Sequence, residues 1–170
     1  GKGEATVEIA RRYPETHFLG IEVYPPGVGK LLYQIQRLEL DNLRIIKHDA
    51  VEVVEEMLPD ESLRGVHIFF PDPWPKKKHH KRRLIQKGFI ETLTRKLRPG
   101  GYLYIVTDWE DYAWNIIYTL EGVQQLRNLY EVFAPGLEWR PKTDYEHKSM
   151  KKEHLVREIY FEKIQQGGLP

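Results

Sequence analysis

Short apolar runs of strand character alternate with longer stretches of helical periodicity, and this alternation constrains the fold more than any other feature of the chain. The run HFLGIEV at 17–23 is apolar and ends at a Pro-Pro-Gly break. Val28, Leu31, Leu32, Ile35 and Leu38 then recur at helical spacing. LRIIKHD at 43–49 reads as a strand, and Val51, Val54 and Leu58 as a short helix stopped near Pro59. VHIFF at 66–70 reads as a buried strand. Ile85, Phe89, Leu93 and Leu97 mark a helix that stops at RPGG, 98–101. YLYIVTD at 102–108 is a further strand, and Tyr112, Ala113, Ile116, Ile117 and Leu120 mark a further helix. Strand alternating with helix predicts an α/β fold with a mostly parallel sheet and helices on both faces. YEVFA at 130–134 and VREIYFEKI at 156–164 read as two last strands with no clear helix between them, paired antiparallel at one edge.

The strands share an ending. Glu22, Asp49, Asp72 and Asp108 each stand at or near the last position of a strand candidate. In a parallel sheet the C-terminal ends of all strands lie on one edge, where ligands of open α/β folds bind. Carboxylates gathered there repel one another unless a ligand rich in hydrogen-bond donors sits among them.

Size and composition exclude several function classes. A chain of 170 residues, 41% hydrophobic and 30% charged, predicts one globular domain over 1–170. There is no cysteine, so disulfides and thiolate chemistry are excluded. No run reaches the length of a membrane-spanning helix and no signal peptide opens the chain, which fits a cytoplasmic protein with no membrane partner. Formal net charge is only +1, yet charge is segregated: 76–87 carries seven Lys and Arg with no acid, and 49–61 carries six acids with no base.

Four motifs invite a chemical reading. Gly1-Lys2-Gly3 before a helix fits the tail of a glycine-rich turn that lets a cofactor approach the backbone. Glu22 lies 19 residues past Gly3, the usual place of an acid gripping ribose hydroxyls, although a plain surface acid satisfies the same spacing. PPGVGK at 25–30 is not a phosphate loop, because Tyr24 stands where its first glycine belongs and Leu31 where Ser or Thr would hold magnesium. The histidines have no metal-ligand spacing, and His79 and His80 sit among lysines that repel a cation, so no metal is expected. FFPDPW at 69–74 is more specific. Prolines stiffen this loop and fix Asp72 beside Trp74, an arrangement suited to the edge and face of a planar heterocycle. A proline turn with a half-buried tryptophan is the bland reading. KKKHHKRRLIQK at 76–87 follows directly, and its adjacency favours phosphate contacts over a merely solvated helix start.

GIEVYPPGVG, FPDPWPKKKHHKRR, TDWEDYA and the late TDYE, in that order, closely resemble the bacterial tRNA (guanine-N7)-methyltransferase family from Gly1 to about Lys163. The resemblance implies a Rossmann-like class I methyltransferase sheet, S-adenosylmethionine as cofactor, and methylation of guanine N7 at tRNA position 46 in the variable loop. It implies a cofactor site including Gly1, Gly3, Glu22, Asp49 and Asp72, with Asp72 as the catalytic aspartate. Lys76, Asp108, Thr143, Asp144, Tyr145 and Glu146 match substrate-binding positions. Lys77, Lys78, Lys81, Arg82 and Arg83 are expected on the RNA backbone. The family also has a strand before the glycine turn, carrying a further cofactor-contacting acid, and the expectation is that this chain lacks both. A monomer or a homodimer is expected. Two other readings stay open: an exocyclic-amine nucleic-acid methyltransferase, against which the Trp74 after Pro73 counts, and a non-catalytic RNA-binding subunit, against which the four strand-end acids count.

Overall fold

Strand and helix alternate along the chain in the order the periodicities predict. The computed structural model describes residues 3–137, 140, 141, 146 and 155–165. The described residues of 1–56 and 138–147 form one compact unit, and those of 57–137 and 148–170 form another.

In the first unit, α1 (Glu4–Arg12) buries Ala5, Val7, Ile9 and Ala10 along one face. Glu4 in its first turn and Arg11 and Arg12 in its last complement the helix dipole. Strand β1 (Phe18–Ile21) runs parallel to β2 (Leu43–Ile46), with Phe18 opposite Leu43 and Ile21 opposite Ile46. Between them lies α2 (Pro25–Arg37), whose two leading prolines occupy positions where a missing N–H costs nothing. Val7, Ala10, Leu31 and Leu43 form the core, with Phe18, Ile35, Leu38, Leu40 and Ile45 packed on it. Asn42 is buried beside this core, and its Nδ2 donates to the carbonyls of Ala10 (2.9 Å), Tyr13 (3.0 Å) and Thr16 (2.9 Å). It thereby serves the Ala10 carbonyl in the last turn of α1 and two carbonyls of the turn that follows. A one-turn helix α3 (Ala50–Glu52) runs on into a π-turn at Val53–Met57.

The second unit is a four-stranded sheet in the order β3-β4-β6-β5. Strand β3 (Leu63–Phe69) is parallel to β4 (Leu97–Thr107), while β6 (Arg157–Lys163) is antiparallel both to β4 and to β5 (Leu126–Asn128). Helices α4 (Lys87–Lys96) and α5 (Glu110–Glu121) contact each other and β4. They bury Phe89, Ile90 and Leu93 from α4, and Tyr112, Ala113, Ile116 and Leu120 from α5. Strand alternation places aromatic rings together on the sheet: Tyr102 stacks on Tyr160 at 5.1 Å and on His67 at 5.6 Å, and Tyr104 meets Phe69 edge-on at 5.3 Å. Burial within this array pushes the His67 imidazole down to about 4 and the Tyr160 phenol up to about 12.

The antiparallel edge is present, but one of its strands is displaced from the sequence expectation. The strand lies at Leu126–Asn128, and 130–134 contributes only an isolated bridge of Ala134 to Glu158. Asn128 explains the shift. Its Oδ1 accepts from Tyr130 N (3.1 Å) and its Nδ2 donates to Val132 O (2.9 Å), which folds the chain into a turn where alternation alone suggested extension. Strand β4 also starts earlier than expected, at Leu97, so that the Arg-Pro-Gly-Gly segment that ends α4 already belongs to it.

Candidate active site

Strand β3 delivers a loop of unusual stiffness. Its ladder with β4 is extended by Phe70 N donating to Val106 O at 2.8 Å. Phe70 and Trp74 then take left-handed backbone angles, φ 52 and φ 40, which non-glycine residues rarely adopt. Such conformations cost about 1–3 kcal/mol each and persist where the surroundings over-determine them. Pro71, Pro73 and Pro75 have no N–H to give, so the loop is held chiefly through its acceptors and through one internal bond. That bond runs from Trp74 N to Asp72 Oδ1 at 3.1 Å. Asp72 is otherwise exposed, and among the described residues its Oδ2 has no partner.

The basic segment folds back beside this loop. Lys77–Arg82 form a 3-10 turn after Lys76, whose carbonyl accepts from His79 N at 2.8 Å. Lys76, Lys77, Lys78, Lys81 and Arg82 are exposed. The Arg82 guanidinium lies 5.2 Å from the Trp74 ring centroid, and His79 meets the same ring edge-on at 5.9 Å. Arg83 departs from its expected place among the phosphate contacts. Its side chain is only 3% exposed and is bonded inside the protein, to Pro73 O and to Asp111. A guanidinium so enclosed has no face left for a phosphate.

Strand β4 delivers the next acid. Asp108 directly follows Thr107, whose Oγ1 accepts from Trp109 N at 3.2 Å as α5 begins. Asp108 is half-buried. Because Phe69 is opposite Val106 in a parallel pair, Asp72 and Asp108 both leave the same edge of the β3–β4 pair.

In the first unit, Gly3 opens α1 with φ 73, and a Cβ there would stand 2.1 Å from Leu31 Cδ2. Both backbone freedom and space therefore require glycine. Glu22 follows β1 and its N–H donates to Ile46 O at 3.0 Å, so the half-buried side chain leaves the C-terminal end of that pair. Asp49 caps α3, with Oδ1 accepting from Val51 N at 3.2 Å. The two carboxylates at strand ends seek hydrogen-bond donors, while the glycine-opened helix start offers open N–H groups to an acceptor, a combination that fits a cofactor bearing both hydroxyl or amino groups and a carboxylate.

Glu146 is buried, 3% exposed, and makes a two-pronged ion pair with Arg140 at 2.5 and 2.9 Å. Arg140 stands in no charge run or apolar pattern, so nothing in the sequence marked it as the partner of Glu146. Gly1, Thr143, Asp144 and Tyr145, expected at the cofactor and substrate sites, lie outside the described residues. No cluster of three or more His, Asp or Glu that could hold a metal occurs among the described residues. No described helix is long and apolar enough to cross a membrane.

Residues 1–159 match a protein-family profile described as "Putative methyltransferase". The chain is 53% identical over 163 residues to a tRNA (guanine-N(7)-)-methyltransferase of Nitrosomonas eutropha, covering 96% of this chain and 73% of that protein. A protein of the same name from Neisseria meningitidis is 52% identical over 164 residues, covering 96% of this chain and 69% of its own length. The chain belongs to the tRNA (guanine-N7)-methyltransferase family. Solved structures place that family's fold more broadly among methyltransferases. An rRNA methylase from Streptococcus thermophilus superposes with TM-score 0.61 at 18% identity, covering 97% of this chain and 82% of the other. The aminoglycoside resistance methyltransferase NpmB1 does so with TM-score 0.64 at 17% identity, covering 96% and 84%. The fold of this tRNA (guanine-N7)-methyltransferase family member is thus the α/β one that the strand-helix alternation predicted, of the Rossmann-like kind that the family resemblance implied.

Proposed function

We propose that this enzyme transfers a methyl group from S-adenosylmethionine to N7 of guanine at position 46 in the variable loop of tRNA, with Asp72 as its catalytic residue. The observation that carries the reading is the Asp72 loop, a carboxylate fixed between prolines at the end of β3 and bordered by exposed cations. Membership of the family supports the reaction and the cofactor. The position in tRNA, the cytoplasmic setting, a monomeric or dimeric state and one catalytic domain over 1–170 belong to the same proposal.

Bound S-adenosylmethionine supplies an electrophilic methyl group. Gly3, Glu22 and Asp49 would hold it, the acids by accepting hydrogen bonds from its hydroxyl and amino groups. Guanine N7 carries an in-plane lone pair and no proton, so the protein needs no base to activate it. What remains for the side chains is alignment and compensation of charge. Asp72 accepts from the guanine N1–H and exocyclic amine, through Oδ2 and the remaining lone pairs of Oδ1. That pair of donors is absent from adenine, so the same contact selects the base. As N7 becomes alkylated the ring turns cationic, and the fixed carboxylate offsets that charge without reorganising. Asp108, on the same strand edge, adds a second negative group for the base. Trp74 walls the site. Lys76 is the cation nearest Asp72 in the chain and takes the adjoining phosphate, while Lys77, Lys78, Lys81 and Arg82 hold the backbone of the extruded nucleotide.

The test is incubation of the enzyme with methyl-labelled S-adenosylmethionine and unmodified tRNA, followed by mapping of the labelled atom. Label on N7 of guanine 46 is expected. Label on an exocyclic amine, or no transfer to tRNA, refutes the reading.

A further inference from the structure

The most tightly held cation of the basic segment is Arg83, one of the five expected on the RNA backbone. Arg83 touches three residues of the second unit, one in the Asp72 loop and two in α5. Its Nε donates to Pro73 O at 2.7 Å, its Nη2 donates to Asp111 Oδ1 at 3.0 Å and to Oδ2 at 3.4 Å, and its guanidinium lies 4.5 Å from the Tyr112 ring centroid. Tyr112 in turn accepts from Ile85 N at 3.2 Å, which fixes the chain just after Arg83. Pro73 is the residue after Asp72, so the Nε bond falls on the peptide that orients the catalytic carboxylate.

The loop needs such an external hold. Its prolines remove the N–H groups by which a loop usually pins itself, and Phe70 and Trp74 sit in left-handed conformations that relax if released. Besides the Trp74–Asp72 bond, the hydrogen bonds that hold 72–75 among the described residues come from the basic segment: Arg83 on Pro73 O, and the His80 ring on Pro75 O at 3.3 Å. We infer that Arg83 is a positioning residue, a clamp that joins the Asp72 loop to the first turn of α5, and that it does not contact RNA. The inference rests on Asp72 being the catalytic residue. A planar fork that bonds in two directions while stacking on a ring is a geometry lysine cannot reproduce. Keeping the charge therefore does not keep the function.

The decisive variants are Arg83→Lys, which preserves the cation, and Asp111→Asn, which weakens the other end of the clamp at an exposed position. Lys81→Ala serves as the comparison for a true phosphate contact. Turnover at saturating tRNA, tRNA affinity across a salt series, and amide exchange of the 70–76 segment are measured on each. The clamp predicts turnover lower by roughly 10–100-fold in Arg83→Lys, because small misplacements of a catalytic group cost that much, with a smaller loss in Asp111→Asn. It predicts an unchanged salt slope for both, and Trp74 N–H exchange faster by about 5-fold or more. Lys81→Ala should show the reverse pattern, a flatter salt slope and unaltered loop exchange. An Arg83→Lys enzyme with a flattened salt slope, and normal turnover and loop exchange, overturns the clamp in favour of a phosphate contact. Normal values throughout overturn it as well. Amide exchange reports the clamp without reference to methylation, so failure of the wild-type enzyme to modify N7 would remove the proposed function and still leave the clamp decided.

Discussion

Asp49 and Asp72 are built alike and held differently. Each follows a parallel strand, and each accepts a hydrogen bond from the backbone N–H two residues on, Val51 at 3.2 Å and Trp74 at 3.1 Å. Around Asp49 the bond serves as an ordinary helix cap at an exposed turn. Around Asp72 the same bond closes a proline-fixed loop whose neighbours sit at φ 52 and φ 40 and whose next carbonyl is gripped by a buried guanidinium. The local chemistry of an Asp turn is therefore common to both, and what distinguishes Asp72, the proposed catalytic group, is the strain stored beside it and the outside contacts that hold it. A carboxylate that only binds can share its role with a cap. A carboxylate that must meet a charge as it develops gains from having no freedom left.

The contrast is open to breaking. The largest effect is expected for Asp72→Asn. The amide oxygen keeps the bond from Trp74 N, so the loop and the fold survive, but the negative charge is gone and an NH2 opposes the guanine donors. Turnover should fall by roughly 10²-fold or more at saturating cofactor and tRNA, and equal turnover would remove Asp72 from the mechanism. Next come Glu22→Ala and Asp49→Ala, each expected to weaken S-adenosylmethionine by about 1.5–3 kcal/mol in calorimetry while tRNA affinity stays put. Asp49→Asn sharpens the comparison: asparagine caps a helix as well as aspartate does, so its stability should match wild type while cofactor affinity still drops. If Asp49→Asn abolished turnover as Asp72→Asn does, the distinction drawn between the two turns would fail.

A smaller effect belongs to the sheet that bears the loop. Burial holds the His67 imidazole neutral down to about 4, against 6.5 for the free side chain. Between those values the unfolded chain binds the extra proton, so stability falls as pH drops from 6.5 toward 4, by at most about 1.4 kcal/mol per pH unit. Urea unfolding at pH 7 and pH 5 should show that slope in the wild type, and His67→Gln should flatten it. The smallest effects are expected from single alanine changes at Lys77, Lys78, Lys81 and Arg82, each lowering the salt slope of tRNA binding by about one unit or less. A triple change of Lys78, Lys81 and Arg82 that left the slope untouched would place the RNA elsewhere.

Much of this was legible in the sequence. Helical periodicity located α2, α4 and α5, because each buries a single apolar stripe, such as Tyr112, Ala113, Ile116 and Leu120 on α5. The four acids were readable because the apolar run of each strand stops shortly before them, Glu22 and Asp108 one residue past their strands and Asp49 and Asp72 three. The edge strand was misplaced because YEVFA alternates like a strand, while the side chain that turns it, Asn128, precedes the pattern. Arg83 was misread for a different reason. Charge runs average over their members, and nothing in the composition of Lys81-Arg82-Arg83 reveals that the last cation is buried at 4% exposure beneath its own loop.

Gly65 and Tyr102 share one place in the sheet. A Cβ on Gly65 would stand 2.2 Å from Tyr102 Cζ, so the tyrosine ring lies where an alanine methyl would be. Across its own face that ring stacks on Tyr160, and its hydroxyl meets His67 Nε2 at 2.8 Å. Changes at the two positions are thus expected to be coupled. A methyl at 65 arriving first would drive the ring off both neighbours, whereas a smaller residue at 102 arriving first would open the room that the methyl then fills. Substitution here is therefore expected to have a preferred order of steps, and a chain with a larger residue at 65 is expected to have given up the tyrosine.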